Sequence, residues 1–174
     1  MLRTENVKLN HGDVKRIYFE AFPKEEQMPF AMMVAMSKLW HTRFLAFYDD
    51  DILCGFVYMA TNRKLVFIMF FAVDKALRSK GYGSAILQEI QKKYLNKKII
   101  VSIDPCDSDA PDNEIRKMRK AFYLRNGYKE TGYKIKLSGM VQDIMIRNGE
   151  FSRKEFRTFF AIYSNGTMWP KIWK

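Results

Sequence analysis

Apolar residues change their spacing along the chain, and each change marks an element. Residues 7–9 read as a short strand, and residues 12–22 carry Val14, Ile17, Tyr18 and Ala21 at helical spacing until Pro23 stops them. FPKEEQMPF, with two prolines, is a loop, and residues 31–40 predict a second helix. Residues 44–48, 52–60 and 65–73 are strand-like runs separated by the polar turns Asp49-Asp50-Asp51 and Thr61 to Lys64, which predicts an antiparallel meander. Helical period returns over 83–95, with Ile86, Leu87, Ile90 and Tyr94 on one face, and residues 98–103 form a β-branched strand.

The loop DPCDSDAPDN leads into a helix over about 114–126, with Ile115, Met118 and Phe122 as its expected buried stripe and Gly127 as its stop. Residues 128–137 and 140–147 predict a hairpin around Ser138-Gly139. The last helix has the clearest start: Ser152-Arg153-Lys154-Glu155 is a capping box, flanked by Phe151 and Phe156 as a hydrophobic staple. Its stripe of Phe156, Phe159, Phe160 and Tyr163 reads as core, and Asn165-Gly166 ends it. No internal repeat or linker divides these elements, so one domain over 1–174 is expected.

Length and composition narrow the function. A chain of 174 residues, 48% hydrophobic and 15% aromatic, has enough apolar matter for one good core. Cys54 and Cys106 are too few for a disulfide framework or a thiolate metal site, so no metal is expected. The first residues lack the apolar core of a signal peptide, and no apolar run reaches membrane-spanning length, which together predict a soluble cytoplasmic protein. The net charge of +11 calls for an anion. Residues 1–60 carry 7 basic and 8 acidic groups, residues 61–128 carry 14 and 7, and residues 129–174 carry 9 and 4. No lysine- or arginine-rich run marks a general nucleic-acid binder, and none is expected as a partner.

Chemistry concentrates in FFAVDKALRSKGYGSAIL, residues 70–87. An apolar strand ends at Val73, a basic loop follows, and Gly81-Tyr82-Gly83 opens a helix. Glycines admit a close approach of ligand to backbone, and first-turn N–H groups point at whatever sits there, so the stretch is an anion cradle. A dinucleotide fingerprint would need glycine where Ile86 stands. A P-loop would need lysine and a hydroxyl residue after Gly83, where Ser84 and Ala85 stand instead.

Arg78-Ser79-Lys80-Gly81-Tyr82-Gly83 resembles the R/Q-x-x-G-x-G/A signature of the GNAT superfamily of acetyl-CoA-dependent N-acetyltransferases. Further on, Phe122-Tyr123-Leu124-Arg125-Asn126-Gly127-Tyr128 looks like the second signature of that family, FYxxxGF/Y. The resemblance covers roughly residues 5–147 and leaves the helix and tail of 150–174 outside the common core. It implies the acyl-CoA N-acyltransferase fold, an α/β chain of the α+β mixed kind whose mostly antiparallel twisted sheet is flanked by helices, with an extra C-terminal helix and with acetyl-CoA as co-substrate. Backbone amides of Arg78, Ser79, Lys80, Gly81, Tyr82, Gly83 and Ser84 would hold the pyrophosphate, and main-chain groups of Phe71, Ala72 and Val73 would pair with the pantetheine arm. Lys75, Arg78 and Lys80 would meet the ribose phosphate.

By the same resemblance Tyr123 is the general acid for the departing CoA thiolate, and a phenol near ~10 is not far from a thiolate near ~8.5. The chain departs from the family in two places. The strand over 65–73 has no carboxylate; Asp104, just past the next strand, is the first candidate base, with Glu25 and Glu26 behind it. Arg116 and Arg119 stand where many members place an asparagine. The implied activity is transfer of acetyl to a primary amine of a small molecule or peptide. Glu25, Glu26 and the turn acids favour a cationic acceptor. Two alternatives stay open: a CoA-binding or sensor module without catalysis, and nucleic-acid binding through the tail Met168 to Lys174. That tail is also suited to packing on the domain or building a homodimer.

Overall fold

The structure, a computed structural model, describes residues 2–39, 41–137 and 139–174. In chain order its elements are β1 (Arg3–Asn6), α1 (Gly12–Ala21), α2 (Phe30–Met36), β2 (Thr42–Asp49), β3 (Ile52–Thr61), β4 (Leu65–Val73), α3 (Tyr82–Lys93), β5 (Lys98–Ile103), α4 (Asn113–Arg125), β6 (Lys129–Leu137), β7 (Met140–Arg147), α5 (Arg153–Tyr163) and β8 (Lys171–Trp173). They divide between two compact units, Met1–Thr61 with Ile68–Leu95, and Asn62–Phe67 with Asn96–Lys174. Among the described residues no helix is long and apolar enough to cross a membrane.

In the first unit the strands follow the order β1-β2-β3-β4, with β1 antiparallel to β2 and β2 antiparallel to β3. Helix α1 presents the spacing read from the sequence: Val14, Ile17 and Tyr18 are buried against the sheet. The Tyr18 ring meets Phe70 of β4 edge-on at 5.3 Å, and Phe30 of α2 meets Phe44 of β2 at 5.5 Å. Such rings each contribute roughly 1.5–3 kcal/mol by burial, with edge-to-face contacts adding to it. The Tyr18 hydroxyl donates to the Met28 carbonyl at 3.1 Å and accepts from the Met28 N–H at 2.7 Å, so this buried polar group is satisfied and ties down the loop between α1 and α2.

The second unit follows β5-β7-β6-β8, every pairing antiparallel. Its core is aromatic: Phe67 packs edge-on against Phe156 at 5.2 Å and Phe160 at 5.5 Å. One half of the capping box of α5 forms, with the Ser152 hydroxyl accepting from the Glu155 N–H at 3.3 Å, and the staple forms, with Phe151 and Phe156 rings 5.6 Å apart. The Glu155 carboxylate also receives Lys98 of β5 at 2.6 Å.

Four expectations change. The first strand is Arg3–Asn6, not 7–9, because Arg3 to Asn6 pair with Tyr48 to Leu45 while Leu9 stands 64% exposed in the turn that follows. Helix α2 ends at Met36, short of the expected 31–40, of which Trp40 lies outside the described residues. The stripe of α4 holds only in part: Ile115 and Met118 are 54% and 63% exposed, Phe122 is half-buried, and Tyr123 is the buried residue of the helix. Arg116 and Lys120, a turn or two before Tyr123 on its side of the helix, are partly buried, and their charges reach Asp112 and Glu130. The tail contributes a strand, β8, whose Ile172 opposes Ile135 of β6 and is buried. The predicted hairpin of β6 and β7 forms, with Ser138 of its turn outside the described residues.

Candidate active site

In the first unit Phe71, Ala72 and Val73 are the last residues of β4, and Arg78, Ser79, Lys80 and Gly81 form the loop that delivers the chain to α3. Tyr82, Gly83 and Ser84 are the first turn of that helix, and the Ala85 N–H donates back to the Gly81 carbonyl at 3.0 Å. Helix geometry leaves the N–H groups ahead of it without intrahelical acceptors. Gly81 occupies the N-cap position in the left-handed region, φ 88°, and brings no side chain to cap them. A Cβ built there meets nothing within 4 Å, so the approach is open. Ser79 also has positive φ, 62°, a conformation that costs a non-glycine residue on the order of 1 kcal/mol. Two left-handed residues, Ser79 and Gly81, thus stand just ahead of an uncapped helix start, a backbone suited to an anion nest.

Side chains outside the signature hold this loop, and sequence reasoning did not single them out. The Asp74 carboxylate accepts from Arg16 of α1 at 2.7 Å and from the Ala76 N–H at 2.9 Å, capping the short turn Lys75–Leu77. The Asp74 N–H donates to the Cys54 carbonyl of β3 at 2.9 Å. Arg16 beside it holds the Asp74 carboxyl below the usual carboxylate range. At the far end the Tyr82 hydroxyl donates to Asp49 of β2 at 2.8 Å, which pushes the phenol's pKa up. Gly55 of β3 lies so close to β4 that a Cβ would collide with the Ala72 carbonyl oxygen. The one available signal was the aspartate two residues before Ala76, the spacing of an Asx turn.

In the second unit Tyr123 is buried, its ring 5.2 Å from Phe122 and 5.3 Å from Tyr128. Burial pushes its phenol up to about 12, with the Arg119 guanidinium pulling the other way. Gly127, at φ 81°, ends α4 so that the Tyr128 N–H returns to the Tyr123 carbonyl at 3.1 Å. Arg147 of β7 donates to the Asn126 carbonyl at 2.7 Å, and a Cβ on Gly127 would collide with its guanidinium. The glycine of the second signature therefore has two physical reasons here. Asp104 accepts from Arg119 at 2.7 Å, so the candidate base is ion-paired with the residue one turn before Tyr123. Among the described residues no group of three or more His, Cys, Asp or Glu side chains could hold a metal ion.

Residues 40–130, over half of the chain, match the family model described as an acetyltransferase (GNAT) domain. YjbC of Bacillus subtilis (strain 168), provisionally named an acetyltransferase, is 30% identical over 110 residues, covering 63% of this chain; the chain spans about half, 53%, of that relative's length. Among solved structures, a protein of Bacteroides thetaiotaomicron provisionally assigned to the GNAT family superposes with a TM-score of 0.75 at 19% identity, over 95% of this chain and 99% of that one. An aminoglycoside 6'-N-acetyltransferase complexed with coenzyme A superposes at 0.65 and 16% identity, over 83% and 96%. At these identities the structures establish the fold, and the family model establishes the kinship: this chain belongs to the GNAT family of acetyltransferases.

Proposed function

We propose that the protein transfers the acetyl group of acetyl-CoA to a primary amine. The observation that carries this reading is the 78–84 loop: two left-handed residues and an uncapped helix start behind an apolar strand, in a chain of this family. Amides of residues 79–84 would take the CoA pyrophosphate, the exposed Lys75, Arg78 and Lys80 its remaining phosphate, and the backbone of Phe71 to Val73 the pantetheine arm.

The amine nitrogen attacks the thioester carbonyl, a C–N bond forms, the C–S bond breaks, and the amine proton leaves to a base for which Asp104 is the candidate. Tyr123 serves the departing thiolate. With the phenol at about 12, passing its proton fully to a thiolate near ~8.5 is uphill by about 5 kcal/mol. Tyr123 therefore acts first as a hydrogen-bond donor to the developing charge. For the acceptor, Asp49 is already taken by Tyr82, and Asp51 lies 3.9 Å from Arg3. The case for a cationic amine then rests on Asp50 of the turn between β2 and β3 and on Glu25 of the short turn after α1.

Thiol release from acetyl-CoA, measured across polyamines, aminoglycosides, lysine peptides and neutral amines, tests the reading. Turnover with at least one cationic amine is expected, and Tyr123→Phe should lower kcat roughly 10²-fold while CoA affinity stays within about twofold. No release with any amine, or an unchanged rate in the variant, contradicts it.

A further inference from the structure

Two carboxylates flank a loop whose proposed ligand is an anion, and on charge alone they are misplaced. Asp74 precedes the loop, and Asp49 sits at its far end, against Tyr82. Each bonds to the loop: Asp74 accepts from the Ala76 N–H and is tied to α1 through Arg16, and Asp49 accepts from the Tyr82 hydroxyl. We propose that Asp74 and Asp49 are positioning residues that clamp the two ends of the 75–82 segment in the shape that receives a pyrophosphate, with Arg16 and Tyr82 as the arms of the clamp.

The backbone explains why a clamp is needed. Ser79 holds a left-handed conformation that an L-residue abandons when it is free to relax, so the surroundings must over-determine it. No side chain caps α3, because Gly81 stands at the cap position. The loop's shape therefore depends on its ends. At one end Asp74 is fixed through four bonds: Arg16 at 2.7 Å, Ala76 N–H at 2.9 Å, its own N–H to Cys54 at 2.9 Å, and its carbonyl from Leu77 N–H at 2.9 Å. Arg78 reaches back to the Val73 carbonyl at 3.4 Å, a weaker contact across the same turn. At the other end stands the single Tyr82 to Asp49 bond, which links the first turn of α3 to the end of β2. Arg16 also neutralises Asp74, so the clamp adds little field against the ligand.

This inference rests on the reading of the loop as a CoA site, and the experiment separates the two. Titration calorimetry measures CoA, and pantetheine, which lacks the pyrophosphate, against the full chain and against Asp74→Ala and Tyr82→Phe. Removing a negative charge near a polyanion's site should tighten binding if charge alone mattered. Positioning predicts the opposite sign: CoA affinity falls about tenfold in each variant, the scale of one lost hydrogen bond to a charged group, while pantetheine affinity is unchanged. Tyr82→Phe removes one oxygen and keeps the fold testable if Asp74→Ala does not fold. Equal or tighter CoA binding in a folded variant overturns the clamp, as does an equal loss for pantetheine. A wild-type chain that binds CoA no better than pantetheine overturns the functional reading and the clamp with it.

Discussion

Tyr123 shows how far a residue type carries and where its surroundings take over. A tyrosine in the second signature was legible from the sequence, and with it an ordinary phenol. Burial beside Phe122 and Tyr128 changes that phenol and raises it to about 12. The consequence for stability has a definite sign. Up to pH 10 the native and unfolded chains both keep the proton; above it the unfolded phenol ionises near ~10 while the native one resists, so stability falls as pH rises toward 12. Urea midpoints at pH 8 and pH 11 should show the wild type losing about 1 kcal/mol more than Tyr123→Phe over that interval. Equal losses would mean that the phenol is not held neutral by its surroundings.

At the scale of elements, α4 and α5 make opposite lessons. Both have apolar residues at helical spacing, yet α5 buries Phe156, Phe159, Phe160 and Tyr163, whereas α4 exposes Ile115 and Met118 and leaves Arg116 and Lys120 partly buried. Capping decides α5, since Ser152 and the Phe151 staple fix its entry and hence its buried face. On α4 the basic side chains Arg116, Arg119 and Lys120 pair with Asp112, Asp104 and Glu130, acids that come from the preceding loop and from β6 and that helical periodicity does not register. Met118→Lys should therefore change the urea stability by less than about 0.5 kcal/mol, while Phe160→Ala should lose about 3–5 kcal/mol. A loss above 2 kcal/mol for Met118→Lys would contradict the exposed placement.

Over the whole molecule, the excess positive charge is less free than the total of +11 implies. Lys98, Lys120, Lys129 and Lys134 meet Glu155, Glu130, Glu150 and Asp143, while Lys75, Arg78 and Lys80 stand exposed around the 78–84 loop. The strands from 42 to 73, the two signatures and the capped last helix were legible because each is written in contiguous residues. The supports of the loop were not, since Arg16, Asp49 and Asp74 come from separate stretches and meet only in the fold. Strand β8 was hidden for a related reason: three residues carry no periodicity, and Lys171 to Trp173 becomes a strand only through β6. The loop also admits the most direct test, amide hydrogen exchange across the chain with and without saturating CoA. Slowed exchange at residues 79–84 and 71–73 is predicted; unchanged exchange at 79–84 with CoA bound would contradict the assignment of this loop as the pyrophosphate site.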